Sequence, residues 1–357
     1  MKLIALHLPQ FHRIAENDKW WGDGFTEWTN VKKTTPLYSG HLQPKKPLHQ
    51  NYYDLTDPKV RKWQAETAKN HGIYGFCYYH YWFKGKRLLE KPFDEILHSG
   101  EPDFPFCLSW ANETWTRKWD GREEDILISQ DYGDESDWKE HFDYLVRAFK
   151  DKRYICVEGK PLFLIYRPAS IPRCQEMIHY WRRLAIEHGL EGIHFVQTIG
   201  GFPTFNRPVF DASMEFEPHY TFAHGHMNGR IWIELDIKGQ KHIVVNYDKV
   251  WSSILERTPH RNGEVVYPGA FVNWDNTPRR SVDGQSTVGA TPEKFGLYLS
   301  RQMTRARELN GSGFLFVNAW NEWAEGAYLE PDDDYGYAYL REVKRVVEQG
   351  ERKRSKL

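Results

Sequence analysis

Short apolar runs recur along the chain at Leu3–Leu8, Gly75–Tyr79, Phe106–Trp110, Leu162–Tyr166, His194–Thr198, Ala212–Phe216, Val265–Val272 and Gly313–Val317. Runs of this length without polar alternation predict strands covered on both faces. Between them lie stretches with apolar positions three and four apart, the spacing of one helix face: Pro58–His71, Ser136–Lys150, Pro172–His188, Tyr247–Arg257 and Thr291–Asn310, with Tyr337–Gln349 after the last strand. Asp57-Pro58 and Thr291-Pro292-Glu293 supply helix starts, and His188-Gly189 supplies a stop. Strands alternating with helices in this way predict one parallel (β/α)8 barrel of the TIM type, with long loops at its C-terminal face. The barrel is expected over residues 1–349, with 350–357 as a basic C-terminal tail. The region Asn206–Asn246 has no strong period and predicts a long loop or excursion over the barrel mouth.

Polar and aromatic residues cluster at the end of each run. His12 comes after the first; Tyr79, His80 and Trp82 end the second; Trp110, Asn112, Glu113 and Trp115 end the third; Glu217 and His219 come after the sixth; Asn273 and Trp274 the seventh; Asn321 and Trp323 the eighth. Strand ends of such a barrel meet on one face, so these residues are expected to line one substrate site. Trp20, Trp21 and Trp28, in a loop rich in glycine and polar residues after the first run, are expected at the same mouth. Their alternative role is to close the top of the core.

Composition narrows the ligand. Lys+Arg 48 against Asp+Glu 49 leaves a net charge of -1, so no overall field attracts nucleic acid or an acidic membrane surface. The chain carries 15 Trp, 20 Tyr and 20 Phe, beyond what a core of this size calls for, and indoles and phenols can stack on a ligand while their polar edges bond it. Cys77, Cys107, Cys156 and Cys174 lie far apart without metal-ligand spacing, so reduced thiols and no metal are expected. No segment approaches the roughly 18 apolar residues of a membrane span, and the first residues lack a signal-peptide pattern, which predicts a cytoplasmic protein without membrane insertion. The terminal Ser355-Lys356-Leu357 matches a peroxisomal address but reads as chance within a basic tail.

The densest chemistry is Asn318-Ala319-Trp320-Asn321-Glu322-Trp323-Ala324-Glu325-Gly326. Cleavage of a glycosidic bond needs two carboxyl groups flanking one bond on a surface that holds a sugar ring, and Glu322 and Glu325 beside Trp320 and Trp323 offer that set. In an extended strand the two would face opposite ways, roughly 10 Å apart. In a helical turn they would lie about 5–6 Å apart, a spacing suited to one bond. The strand is therefore expected to end before Glu322, in a tight turn closed by Gly326.

Leu8-Pro9-Gln10-Phe11-His12, Asn17-Asp18-Lys19-Trp20-Trp21-Gly22, Gly24-Phe25-Thr26-Glu27-Trp28-Thr29-Asn30, Tyr79-His80-Tyr81-Trp82, Trp110-Ala111-Asn112-Glu113 and the Glu322 to Gly326 segment together resemble the WbsX-like proteins. That family is associated with O-antigen and polysaccharide gene clusters and related to glycoside hydrolase family 99, whose endo-α-1,2-mannosidases and mannanases are retaining (β/α)8 enzymes without a metal. The resemblance implies catalysis by Glu322 and Glu325, with no cofactor. Glu322 would deprotonate the sugar's own 2-hydroxyl to form a 1,2-anhydro sugar, and Glu325 would protonate the leaving oxygen and later activate water, a substrate-assisted form of two-carboxylate chemistry. The hydrolases carry a histidine where this chain has Ala324. The expected function is a retaining glycoside hydrolase or transglycosylase on a bacterial oligosaccharide or polysaccharide such as O-antigen. A glycosyltransferase and a carbohydrate-binding barrel without turnover are the alternatives. A nucleotide-sugar transferase would need a phosphate site, and the glycine-rich Gly311-Ser312-Gly313 precedes a strand instead of opening a helix.

Overall fold

The computed structural model describes residues 1–117, 122–206, 208–225, 232–258, 265–310 and 313–354; Gly311, Ser312 and the terminal Ser355-Lys356-Leu357 lie outside the described residues. Each predicted strand forms: β1 (Lys2–His7), β2 (Ile73–Phe83), β3 (Phe106–Trp110), β4 (Lys160–Ile165), β5 (His194–Ile199), β6 (Ala212–Glu215), β7 (Val266–Tyr267 and Gly269–Phe271) and β8 (Phe314–Asn318). They pair in parallel in sequence order, and β1 returns to β8 with Ala5 opposite Val317. β7 closes the ring in two halves, Tyr267 beside Met214 of β6 and Ala270 beside Val317 of β8. The interruption is Pro268, which has no N–H for a ladder, although its carbonyl still accepts from the Phe316 N–H at 3.0 Å. Gly269 allows the crossing, since a Cβ there would stand 2.0 Å from the Glu215 carbonyl oxygen.

Helices cover the outside of the barrel: α1 (Pro58–Asn70), α2 (Lys91–Ser99), α3 (Glu135–Phe149), α4 (Cys174–Glu187), α5 (Tyr247–Glu256), α6 (Pro292–Asn310) and α7 (Ala338–Arg354). Asp57 and Asp134 cap α1 and α3 by accepting from the Lys59 and Ser136 N–H groups, which satisfies donors the helix itself cannot. With helices outside and side chains filling the centre, strand residues such as Leu3–Leu6 and Leu162–Ile165 are buried on both faces. Three elements differ from expectation. α2 is too short for its period to stand out, the described residues between β5 and β6 carry no helix, and α7 runs through Arg354, into the stretch expected as a tail. The described part of Asn206–Asn246 is structured: a helix at His219–His224, then a hairpin of Trp232–Ile237 and Gln240–Asn246 that adds Gln285–Val288 as a third strand. Its turn, Lys238-Gly239, has both φ angles positive, the two-residue connection that suits strand twist.

The connection after β8 is locked from beneath. The Asn321 side chain accepts from the Leu8 N–H at 2.8 Å and donates to the Leu8 carbonyl at 3.0 Å, pairing the exits of β1 and β8 as a strand would. Glu330, buried without a cation among its hydrogen-bond partners, accepts from Tyr53 Oη at 2.8 Å, Gln64 Nε2 at 2.7 Å and Trp323 Nε1 at 2.6 Å. Burial pushes its carboxyl up to about 7 against those three bonds. Glu330→Ala orphans three buried donors, each worth about 1–3 kcal/mol, and a loss of roughly 3 kcal/mol or more should appear in denaturant unfolding.

Candidate active site

Strand β8 ends at Asn318, and beyond it lies a small hairpin in which Asn321 pairs with Tyr328 and Glu322 with Ala327. Its loop is a 3₁₀ turn, Trp323–Glu325, ended by Gly326 in the left-handed conformation (φ 62°). A Cβ at Gly326 would also sit 2.9 Å from that of Asp275, so glycine serves both the backbone and the packing. The strand thus ends before Glu322 and the turn swings Glu325 back, so that both carboxyl groups meet one guanidinium. Arg279, on the short helix Thr277–Arg280 after β7, donates through Nη2 to Glu322 Oε2 at 2.9 Å and through Nη1 to Glu325 Oε1. Its Nε and Nη2 also hold Glu27 Oε1, at 2.8 and 2.7 Å, and Gln10 Nε2 donates to the other Glu27 oxygen at 3.2 Å.

Three carboxyl groups therefore share one buried cation. Burial, then the neighbouring Glu325, pushes Glu322 up to about 8, with Arg279 opposing the rise. Glu27, wholly buried, is also raised by desolvation and drawn back by Arg279. For Arg279 burial alone would favour loss of the proton, but Glu27, Glu325 and Glu322 outweigh it and hold the guanidinium charged. Burial and the neighbouring carboxyl groups thus favour the protonated form of Glu322.

Glu322 and Glu325 open into a cleft of about 610 Å³ over the barrel mouth. Of the residues expected to bind substrate, Trp21, Tyr79, Glu113, Trp115, His219 and Trp274 line it. The cleft brings in Tyr81, Tyr166, Arg167 and Phe202 besides, with Glu113 and Arg167 joined as an ion pair at 2.5 Å. Burial holds the Tyr79, Tyr81 and Tyr166 phenols neutral, and Glu322 adds to the effect at each. The described residues contain no group of three or more His, Cys, Asp or Glu arranged to hold a metal ion.

The other expected site residues lie behind the walls. Period-two alternation explains two of them: Tyr79 and Tyr81 face the cleft, whereas His80 and Trp82 on the same strand face α3. There Trp82 stacks on His141 at 4.5 Å and His80 Nε2 meets His141 Nε2 at 2.8 Å. Trp110, level with His80, points the same way and donates to the Trp82 carbonyl. Asn112 ties β3 to β4 through the Arg167 backbone, at 2.7 and 2.9 Å. Glu217 is buried against Arg257 at 2.7 Å, and Asn273 accepts from Thr287 Oγ1. His12 is buried with Nδ1 on the Pro9 carbonyl, and Trp20 stands edge-on behind Trp115 at 5.9 Å. Trp28 and Trp323 form a second small core, 5.4 Å apart, and Asn321 pins Leu8. Arg279 was missed by sequence reasoning. Its signal was slight: an arginine after Pro278, where proline opens a helical turn just beyond strand seven. Glu27 stood inside a recognised segment but was not singled out.

Comparison with known proteins agrees with this architecture. A profile of the family described as "Glycosyltransferase WbsX" matches residues 3–343. An uncharacterized protein, WxcX, from Xanthomonas campestris pv. campestris (strain ATCC 33913) is 38% identical over 352 residues, covering 97% of this chain and 49% of that protein. This chain therefore spans about half the length of that relative. Among solved structures, the GH99 endo-alpha-mannosidase from Bacteroides thetaiotaomicron superposes with a TM-score of 0.56 at 14% identity, covering 99% of this chain and 98% of its own. A glycoside hydrolase-like protein does so at 0.60 and 12%, covering 97% and 93%. At such identities the likeness is one of fold.

Indoles in the cleft and indoles in the core separate by mutation. Trp28→Ala should lose roughly 3–5 kcal/mol of stability, the cost of emptying a large core site. Trp21→Ala, at the half-exposed cleft wall, should unfold within about 1 kcal/mol of the wild type by denaturant titration while its glycan affinity falls.

Proposed function

Because this chain belongs to the WbsX glycosyltransferase family, on a barrel of the glycoside hydrolase type, we propose that it is a carbohydrate-active enzyme acting on glycosidic bonds through Glu322 and Glu325. The observation that carries the reading is the pair itself: two carboxyl groups on the two terminal nitrogens of Arg279, opening into an aromatic cleft. The fork keeps them close enough to serve one bond, the arrangement of retaining two-carboxylate chemistry.

The pair enters the reaction with a proton, favoured on Glu322 by burial. A sugar filling the cleft excludes water from Glu325, the more exposed carboxyl, and so raises its affinity for that proton. With the proton on Glu325, Glu322 takes the hydrogen of the sugar 2-hydroxyl as its oxygen attacks the anomeric carbon. Glu325 gives its proton to the departing oxygen. Glu325 then takes a proton from water, or from an acceptor hydroxyl, as its oxygen attacks the anomeric carbon. The bond from that carbon to the 2-oxygen breaks, and Glu322 returns its proton to the 2-oxygen, which opens the 1,2-anhydro ring with net retention. Water makes the chain a hydrolase and an acceptor sugar makes it a transglycosylase. The proposed substrate is a bacterial oligosaccharide or polysaccharide such as an O-antigen. The family's description favours a second reading, transfer from a nucleotide sugar, and calorimetry separates the two. With nucleotide sugars and divalent metal the first reading expects no heat of binding, whereas micromolar affinity would establish the transferase.

Glu322→Gln and Glu325→Gln should each fold and lose turnover by about 10²-fold or more, the scale of one acid–base group. Because the pair needs one proton, activity should fall as pH rises through about 8, where Glu322 ionises. Full activity in either variant would remove the assignment.

A further inference from the structure

Glu27 belongs to the reacting cluster but cannot touch a substrate. It opens the helix Glu27–Lys33, is 0% exposed, and does not line the cleft. Its contacts are the Nε and Nη2 of Arg279 on one oxygen and Gln10 Nε2 on the other. The guanidinium is thus shared: Nε and Nη2 serve Glu27, Nη2 also serves Glu322, and Nη1 serves Glu325.

We propose that Glu27 is a positioning residue for the proton: by occupying the Nε edge of Arg279 it offsets the cation and thereby makes the Glu322–Glu325 pair retain one proton. The inference rests on the reading in which those two carboxyl groups react. Charge counting gives the reason. Burial raises Glu27, but both its oxygens accept from N–H donors, two of them on a guanidinium, and this favours its ionised form. With Glu27 so ionised, Arg279 charged and one proton on the pair, the buried cluster carries a net charge of about −1, and ionising the pair fully would take it to about −2 in a site that solvates charge poorly. With Glu27 neutral, full ionisation of the pair reaches only about −1, the charge the native cluster already tolerates. Glu27 therefore acts on chemistry it never touches, at the distance where an added anion raises a neighbouring carboxyl.

The other titratable groups facing the pair do not supply this charge. Tyr79 and Tyr81 on β2 and Tyr166 after β4 are phenols held neutral by burial. Across the cleft Glu113 and Arg167 offset each other, and Arg280 and Asp283 bring one charge of each sign. Lys33, on the helix of Glu27, acts on Glu27 and opposes its protonation.

The test needs no substrate. In the full chain with ¹³C-labelled glutamate side chains, the carboxyl resonance missing from Glu322→Gln identifies Glu322, and its midpoint is followed by NMR in wild type and in Glu27→Gln. Glu27→Gln should lower that midpoint by about one unit or more, a tenfold fall in proton affinity. If Glu27→Gln fails to fold, Glu27→Asp carries the test, because shortening the side chain by one methylene draws its charge from Arg279 and should move the midpoint the same way by less. An unchanged or raised midpoint in the folded variant overturns the proposal, whatever the turnover. A lowered midpoint in a protein that acts on no glycan supports the proton count and sinks the proposed function instead.

Discussion

A single guanidinium shared by three carboxyl groups is the constraint around which the mouth of this barrel is built. Arg279 comes from the loop after β7, Glu27 from the long connection after β1, and Glu322 and Glu325 from the hairpin after β8. None of these segments fixes the others by sequence proximity. Removing the cation would leave buried carboxylates unpaired, a cost of several kcal/mol that no exposed ion pair approaches. The three loops therefore have reason to adopt one mutual arrangement, and the catalytic geometry proposed here is also what holds the barrel's first and last connections together.

Beneath that charge cluster lies a hydrogen-bonded scaffold that gives it precision. Asn321 clamps the Leu8 backbone, and Glu330 gathers the hydroxyl of Tyr53, the amide of Gln64 and the indole of Trp323. Trp323 in turn stacks on Tyr328, with ring centroids 3.8 Å apart. The hairpin that presents Glu322 and Glu325 is thus held on its inner face by hydrogen bonds and rings, while its outer face turns those two carboxyl groups to the cleft. Satisfied buried networks of this kind fix one geometry more than they add stability.

The barrel was legible because its strands are buried on both faces and its longer helices carry a regular apolar stripe, so all of these elements but the short α2 announce themselves over several residues. That Glu322 and Glu325 lie together was legible because a turn closed by Gly326 brings residues three apart to one side, whereas a strand would part them. The cleft walls were harder to read. Indoles and histidines at strand ends look alike in sequence, yet a one-residue step reverses their direction, which separates Tyr79 from His80 and Tyr81 from Trp82. Arg279 carried almost no signal, because its importance arises from three segments that meet only in the folded chain. The hairpin at Trp232–Ile237 and Gln240–Asn246 was not legible because its first strand is largely exposed and turns apolar residues such as Trp232 and Ile233 to solvent, so no buried face sets a period.

The most direct measurement is a crystal structure of Glu325→Gln soaked with oligosaccharides cut from bacterial O-polysaccharides. The account predicts a sugar ring in the cleft with its 2-hydroxyl within hydrogen-bond distance of Glu322 and its glycosidic oxygen facing residue 325. Saccharide bound with its anomeric carbon remote from both residues would contradict it.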